Sequence, residues 1–116
     1  IWTAHTLDYL PPSLPPALAY LESRGKAHWA PVVSLMISEH HKLRPYRDPR
    51  YPLVEAFRKA DLVDFSLGLF RCGLPRTLVR AVRAQTPNAG FHRRLLQLAL
   101  HWFVRHPLNP APMMKW

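Results

Sequence analysis

The segment from residue 52 to residue 67 reads PLVEAFRKADLVDFSL, and its apolar residues recur at the spacing of one helix face. Val54, Phe57 and Phe65 form an apolar stripe, and Asp61 falls inside that stripe. An ionised carboxylate on a buried face is costly unless it is paired, hydrogen-bonded or bound to a metal ion. The segment therefore predicts a core helix that carries one carboxylate in need of a partner.

Prolines mark the starts of the other predicted helices. Proline is tolerated in the first turn of a helix, where its missing N–H would have no intrahelical partner anyway. Apolar periodicity after prolines and turn residues predicts four more helices, at about 14–24, 31–43, 75–85 and 88–106. No strand pattern competes with them, so the predicted fold class is all-α with about five helices.

Glycine, asparagine and dense proline define the predicted boundaries. Gly25 and Gly68 are expected to end helices, because glycine accepts the left-handed conformation that often follows a helix. Asn88 is expected to be the N-cap of the last helix. Segments 9–16 and 44–52 contain the densest proline and are predicted to be loops.

The amino-acid composition is that of a globular protein with enough apolar residues to form a core. Of its 116 residues 48% are apolar, so it can bury a core, and no apolar run reaches the roughly 20 residues of a membrane span. The single cysteine, Cys72, excludes an internal disulfide and a cysteine-rich zinc finger. A soluble, cytoplasmic protein is expected. The chain starts at Ile1 rather than at a methionine, which predicts that it is a fragment, and no signal-peptide pattern follows.

A surplus of positive charge indicates anionic partners. Sixteen Lys and Arg residues against seven Asp and Glu residues give a net charge of +9. The electrostatic field of such a charge attracts nucleic acids, nucleotides and acidic lipids alike, so the charge does not distinguish among these partners. The chain has no motif with a defined docking geometry, which argues against sequence-specific recognition of nucleic acid.

Two adjacent histidines end the apolar face of the second predicted helix. His40 continues the stripe of Val33, Met36 and Ile37, so it is expected to point inward. Neighbouring residues on a helix diverge by about 100°, so His41 is not expected to share a metal ion with His40. The alternative for His40 is a partly buried histidine that the helix C-terminus stabilises.

Asp61 has two candidate partners, a metal ion and an arginine. A histidine at the end of one inward face and a carboxylate on the next form a mixed nitrogen and oxygen set that divalent metals accept. Arginines from the last two predicted helices can instead pair with this carboxylate, and the candidates are Arg83, Arg93 and Arg94. The residues alone leave both alternatives open.

A longer pattern resembles a known family. Residues 39–41 are Glu-His-His, and residues 60–64, about twenty positions later, are Ala-Asp-Leu-Val-Asp. This pattern resembles the second half of the HD superfamily, helical metal-dependent phosphohydrolases whose signature is a His, a His-Asp doublet and a distant Asp. Many members also carry a His-His pair near the metal or the substrate. The resemblance covers roughly residues 1–67, and residues 68–116 would be accessory helices and a tail.

The resemblance implies roles for individual residues. Asp61 and His40 would bind a divalent metal ion (Mn, Fe, Zn or Mg), and His40 and His41 would be catalytic. The sequence contains no His-Asp doublet, so further ligands would lie upstream and this chain alone would be inactive. Substrate contacts would come from His5, Lys42 and Arg44.

The predicted function is that of an HD-type metal-dependent hydrolase acting on a phosphoester or nucleotide, with this chain an incomplete, single all-helical domain or part of one. Its partners would be a small anionic substrate and either a second copy or the missing N-terminal half, without a membrane. Hydration of a nitrile, the reaction of one branch of the family, is not distinguished from phosphoester cleavage. The alternative is a non-catalytic basic helical module that binds an anionic partner such as nucleic acid or a nucleotide.

Overall fold

The computed structural model describes residues 7–109 and 111–114 of the chain. Within these residues the predicted all-α class is confirmed, because they form five α-helices and two 3-10 turns and no strand. The helices are α1 Leu10–Ser23, α2 Ala30–Glu39, α3 Pro52–Phe65, α4 Arg76–Gln85 and α5 Phe91–Arg105. The 3-10 turns are Ala27–Trp29 and Pro112–Met114. The predicted substrate contact His5 lies outside the described residues.

The first helix begins inside a segment that its prolines predict to be a loop. That prediction for residues 9–16 is wrong, because α1 starts at Leu10. The N–H groups of the first turn have no intrahelical partner, so prolines near the start of α1 remove no hydrogen bond. Pro15 and Pro16 lie further inside the helix, where they do interrupt the hydrogen-bond ladder. Packing of α1 along α2 compensates for this loss.

The second helix is shorter than predicted, and this difference shapes the candidate site. α2 ends at Glu39 rather than at residue 43, and His40 is its C-cap. The N–H of Lys42 bonds to the carbonyl of Glu39 at 3.0 Å, so the chain turns after the helix. The predicted loop over 44–52 is present as irregular chain up to residue 51, and Pro52 opens α3.

The first three helices pack in sequence, α1 against α2 and α2 against α3. Val54 of α3 is fully buried, and Val63 of α3 and Leu21 of α1 are each 9% exposed. Leu7 and Leu98 of α5 form a buried apolar cluster, and Tyr9, Leu10 and Leu95 pack against it. Only six apolar residues of the described ranges are buried, so the core is small.

The fourth helix contacts the end of α3 through a glycine. Gly68 has a φ of +83°, and a Cβ added there would lie 2.9 Å from Cγ1 of Val79 on α4. Both the backbone conformation and the close approach exclude a side chain at this position. Gly68 and Gly25 follow the ends of α3 and α1, as predicted.

The last helix begins later than predicted. Gly90, not Asn88, is the N-cap of α5, and its φ of +82° turns the chain into the helix. Asn88 still serves this end, because its Oδ1 accepts the N–H of His92 at 3.1 Å. Among the helices of the described ranges, none has the length and apolar character needed to cross a membrane.

Candidate metal centre

Three potential metal ligands meet where the end of α2 faces α3. His40, His41 and Asp61 each offer one ligand atom, and these atoms lie within 4.8 Å of one another. The three side chains line a cavity of about 30 Å³. A cavity of roughly 10–15 Å³ already holds a water molecule, so this one has room for a small ion. Its other walls come from Lys42, Leu43, Leu62, Phe65 and Met114.

The early end of α2 explains why both histidines reach the cavity. His40 is the last residue with a helical hydrogen bond, from its N–H to the carbonyl of Met36. His41 lies in the turn that follows, where the 100° divergence of helical neighbours no longer applies. The centroids of the two imidazole rings are 3.9 Å apart. The expectation that His40 and His41 cannot face one ion together does not hold for this backbone.

His41, rather than His40, makes the direct contact with Asp61. Its Nδ1 lies 2.9 Å from Oδ2 of Asp61, and its side chain is only 8% exposed. On its other side, Nε2 of His41 accepts a hydrogen bond from the hydroxyl of Tyr9. In this arrangement Nδ1, the ring nitrogen that faces the carboxylate, carries a proton and donates it to Asp61. Tyr9, His41 and Asp61 thus form a hydrogen-bonded chain across three segments.

Tyr9 is held in its protonated form. Burial, and secondarily the charge of Asp61, raises the pKa of Tyr9 to about 12. At neutral pH its hydroxyl is therefore a hydrogen-bond donor to His41. With both ring nitrogens of His41 engaged, an ion that binds through this histidine must replace one of the two contacts.

His40 is arranged differently from its neighbour. Its Nδ1 donates to the carbonyl oxygens of Met36 at 3.0 Å and Ile37 at 2.9 Å. Within the described part of the chain, its Nε2 has no hydrogen-bond partner. Burial, followed by the neighbouring His41, lowers the pKa of His40, which favours the neutral ring. A neutral imidazole whose second nitrogen is anchored on backbone carbonyls is the usual state of a histidine metal ligand.

An ion pair from α3 holds the turn that carries the two histidines. The guanidinium of Arg58 contacts both carboxylate oxygens of Glu55, at 2.7 and 2.8 Å, and its Nη1 donates to the carbonyl of Lys42 at 3.0 Å. Glu55 also accepts the N–H of Tyr46 at 2.8 Å. The bonds to Arg58 are the main reason that the pKa of Glu55 falls to about 2. We call Arg58, Glu55 and their contacts to residues 42 and 46 the turn latch.

The arginine alternative for Asp61 is not observed. In residues 7–109 and 111–114, arginine ion pairs involve Asp48 and Glu55, and Asp61 pairs with His41. The predicted candidates Arg83, Arg93 and Arg94 therefore do not neutralise Asp61.

The predicted substrate contacts differ in position. Lys42 lines the cavity, and its ammonium group lies 2.9 Å from Oε1 of Glu39. Arg44 is exposed and is not part of the cavity wall. The cavity therefore supports Lys42 as a candidate substrate contact and gives no such support to Arg44.

Sequence reasoning missed Tyr9 and the turn latch. Tyr9 is separated from His41 by 32 positions, and no local spacing connects them. Arg58 and Glu55 do have a local signal, because opposite charges three positions apart on a helix lie side by side. That spacing predicts an ion pair, but its burial and its bond to Lys42 depend on the packing of α2 against α3.

No protein-family model matches the chain, and no curated protein and no solved structure is significantly similar to it. The resemblance to the HD superfamily thus remains a prediction from the motifs.

Proposed function

We propose that this chain belongs to a divalent-metal-dependent hydrolase of the HD type, in which His40, His41 and Asp61 hold the metal ion. One observation supports the proposal above all others: the three ligand atoms lie within 4.8 Å of one another at a small cavity. Two imidazoles and one carboxylate suit zinc, iron or manganese. Three protein ligands are typical of catalytic zinc sites, whereas structural sites use four.

Each residue of the site has a distinct task in this proposal. When bound, a divalent ion supplies a Lewis acid for water activation and for polarising an ester oxygen. Asp61 contributes the negative charge that holds the ion, and the carbonyl contacts of His40 fix the direction of its free nitrogen. Tyr9 holds the plane of the His41 ring through its contact with Nε2. If the ion binds Nδ1, Nε2 would carry the ring proton and donate it to the Tyr9 oxygen. Lys42 is the candidate to neutralise an anionic group of the substrate, in exchange for its contact with Glu39.

Metal binding is tested first, by calorimetric titration of the chain with zinc and with manganese. We expect one ion per chain, and we expect His40→Ala and Asp61→Asn each to weaken binding at least about 10-fold. Asp64→Asn is the matched control, because Asp64 is an exposed carboxylate on the same helix and does not line the cavity. Unchanged affinity in all three variants would remove the metal site from the proposal.

Hydrolase activity is tested separately, because an HD-type enzyme requires ligands that these 116 residues do not contain. The longest gene product that includes the chain is assayed with nucleotides, a generic phosphodiester and cyanamide, in the presence of manganese, iron or zinc. We expect turnover that depends on the metal and is lost in Asp61→Ala, since both metal occupancy and rate depend on an anionic ligand. Metal-independent turnover, or full activity in Asp61→Ala, would reject the assignment.

A further inference from the structure

The charges of the chain are strongly segregated. Residues 1–64 contain eight Lys and Arg residues and all seven Asp and Glu residues, so this part is almost neutral. Residues 65–116 contain the other eight Lys and Arg residues and no acidic residue. The positive field of the protein therefore originates almost entirely in the part that contains α4 and α5.

Four of these cations line one groove. Arg76, Arg80 and Arg83 lie at positions i, i+4 and i+7 of α4, which places them on one face of the helix. Arg71 joins them from the connection between α3 and α4. The groove has a volume of about 830 Å³. Its other lining residues come from the segment after α3 and from α4, and they are Ser66, Leu67, Gly68, Leu69 and Val79.

Within residues 7–109 and 111–114, the ion pairs found for carboxylates involve none of these four arginines. Nη1 of Arg83 donates to the carbonyl of Leu67 at 2.5 Å. Like charges four positions apart destabilise a helix. Arg76 also stands in the first turn of α4, which contains no acidic residue, so it opposes the helix dipole. An external anion in the groove would relieve both repulsions.

We propose that this groove binds the phosphates of a nucleic-acid strand. Guanidinium groups bind phosphate oxygens through two parallel N–H bonds, and the positions on α4 present three of them in a row of about 10 Å. Arg93 and Arg105 of α5 add two more exposed cations in the same charge-rich part of the sequence. Leucine, glycine, valine and serine line the remainder, so apart from the arginines, which the proposal assigns to phosphates, the groove offers only the hydroxyl of Ser66 to a base edge. Recognition is therefore independent of base sequence.

The groove is separate from the candidate metal centre, since it uses none of the three potential ligands. The proposal consequently stands or falls independently of the hydrolase assignment. His40→Ala should bind oligonucleotides as the unaltered chain does, and loss of arginines from the groove should leave zinc binding unchanged.

The test is fluorescence anisotropy with a labelled single-stranded DNA 12-mer and its RNA counterpart, over a series of salt concentrations. Each neutralised phosphate contributes about −0.7 to the slope of log K against log salt, so four contacts give a slope of about −2.8. The double variant Arg76→Gln/Arg80→Gln should shift the slope by about 1.4 and weaken binding about 25-fold at 0.1 M salt. Circular dichroism establishes that the variant keeps its helices.

The matched control is Arg24→Gln/Lys26→Gln, which removes two exposed charges after α1, outside the groove. We expect it to keep the salt slope of the unaltered chain. Equal loss in both double variants would attribute binding to net charge and overturn the proposal. Absence of oligonucleotide binding would also overturn it. So would binding of the groove arginines to phosphatidylserine vesicles or to inorganic triphosphate without binding to either oligonucleotide.

Discussion

The two parts of this molecule use charge in opposite ways. In the part formed by α1 to α3, Arg58 is only 6% exposed, and its guanidinium forms an ion pair with Glu55 and a hydrogen bond to a backbone carbonyl. In the part formed by α4 and α5, the arginines of the groove meet no carboxylate within the described residues. Charge in the first part thus holds the chain in place, whereas charge in the second part is available to a partner.

The two parts also differ in how much apolar surface they bury. The described helix pairs that pack extensively are α1 with α2 and α2 with α3. On α5, Leu96 and Leu100 are each 61% exposed, and Leu78 on α4 is 47% exposed. A helix that buries little of its apolar face gains little from tertiary packing. The second part of the molecule is therefore expected to be the less stable one when the chain is alone.

The largest difference between the two parts should appear when an arginine loses its charge. Arg58→Met removes the main partner of the Glu55 carboxylate, which keeps only the Tyr46 N–H and a 3.7 Å contact with Lys59. We expect this loss to cost about 1.5–3 kcal/mol. Arg80→Met on α4 removes an exposed charge and should change stability by less than about 0.5 kcal/mol. Urea denaturation of both variants measures the two effects. Similar losses of stability in the two variants would contradict the view that Arg58 holds the fold together while the arginines of α4 do not.

Low pH should weaken the contribution of the turn latch to stability. The pKa of Glu55 is about 2 in the folded chain against an ordinary value of 4.5, so the unfolded chain binds more protons between these values. The contribution of Glu55 is complete above about pH 4.5 and is lost as the pH falls through about 2. Urea denaturation over this range should show stability falling as the pH is lowered, and Glu55→Gln should make stability less dependent on pH. A curve of the same steepness in Glu55→Gln would assign the acid sensitivity to other carboxylates.

A further effect is expected where the two parts meet. Gly68→Ala should destabilise the chain through its left-handed backbone, by about 1–2 kcal/mol, and through the contact with Val79, by at least about 1 kcal/mol more. Gly73→Ala is the control, because Gly73 has a φ of +87° but open space around a Cβ. Thermal unfolding of both variants separates the two terms. Equal losses would mean that the approach of α4 to α3 contributes little to stability.

Local patterns predicted those features of the fold that depend on near neighbours. The periodicity of 52–67 predicted α3 closely, because apolar spacing reports one helix face regardless of what packs there. The same reasoning failed at the start of α1, where each proline was interpreted as a boundary although only the packing against α2 decides how far a helix extends. It also extended α2 past Glu39, because the turn latch that holds the following residues lies sixteen positions away.

The sequence by itself determined that Asp61 needs a partner and that the net positive charge is concentrated after residue 64, because residue type and helical spacing are local properties. Only the tertiary structure decided that the partner is His41, with Tyr9 behind it, and that four arginines share one groove. The physical reason is that a hydrogen bond acts over about 3 Å in space, whatever the separation of its partners along the chain. Where α2 ends, and how closely α4 approaches Gly68, determines which side chains reach that distance.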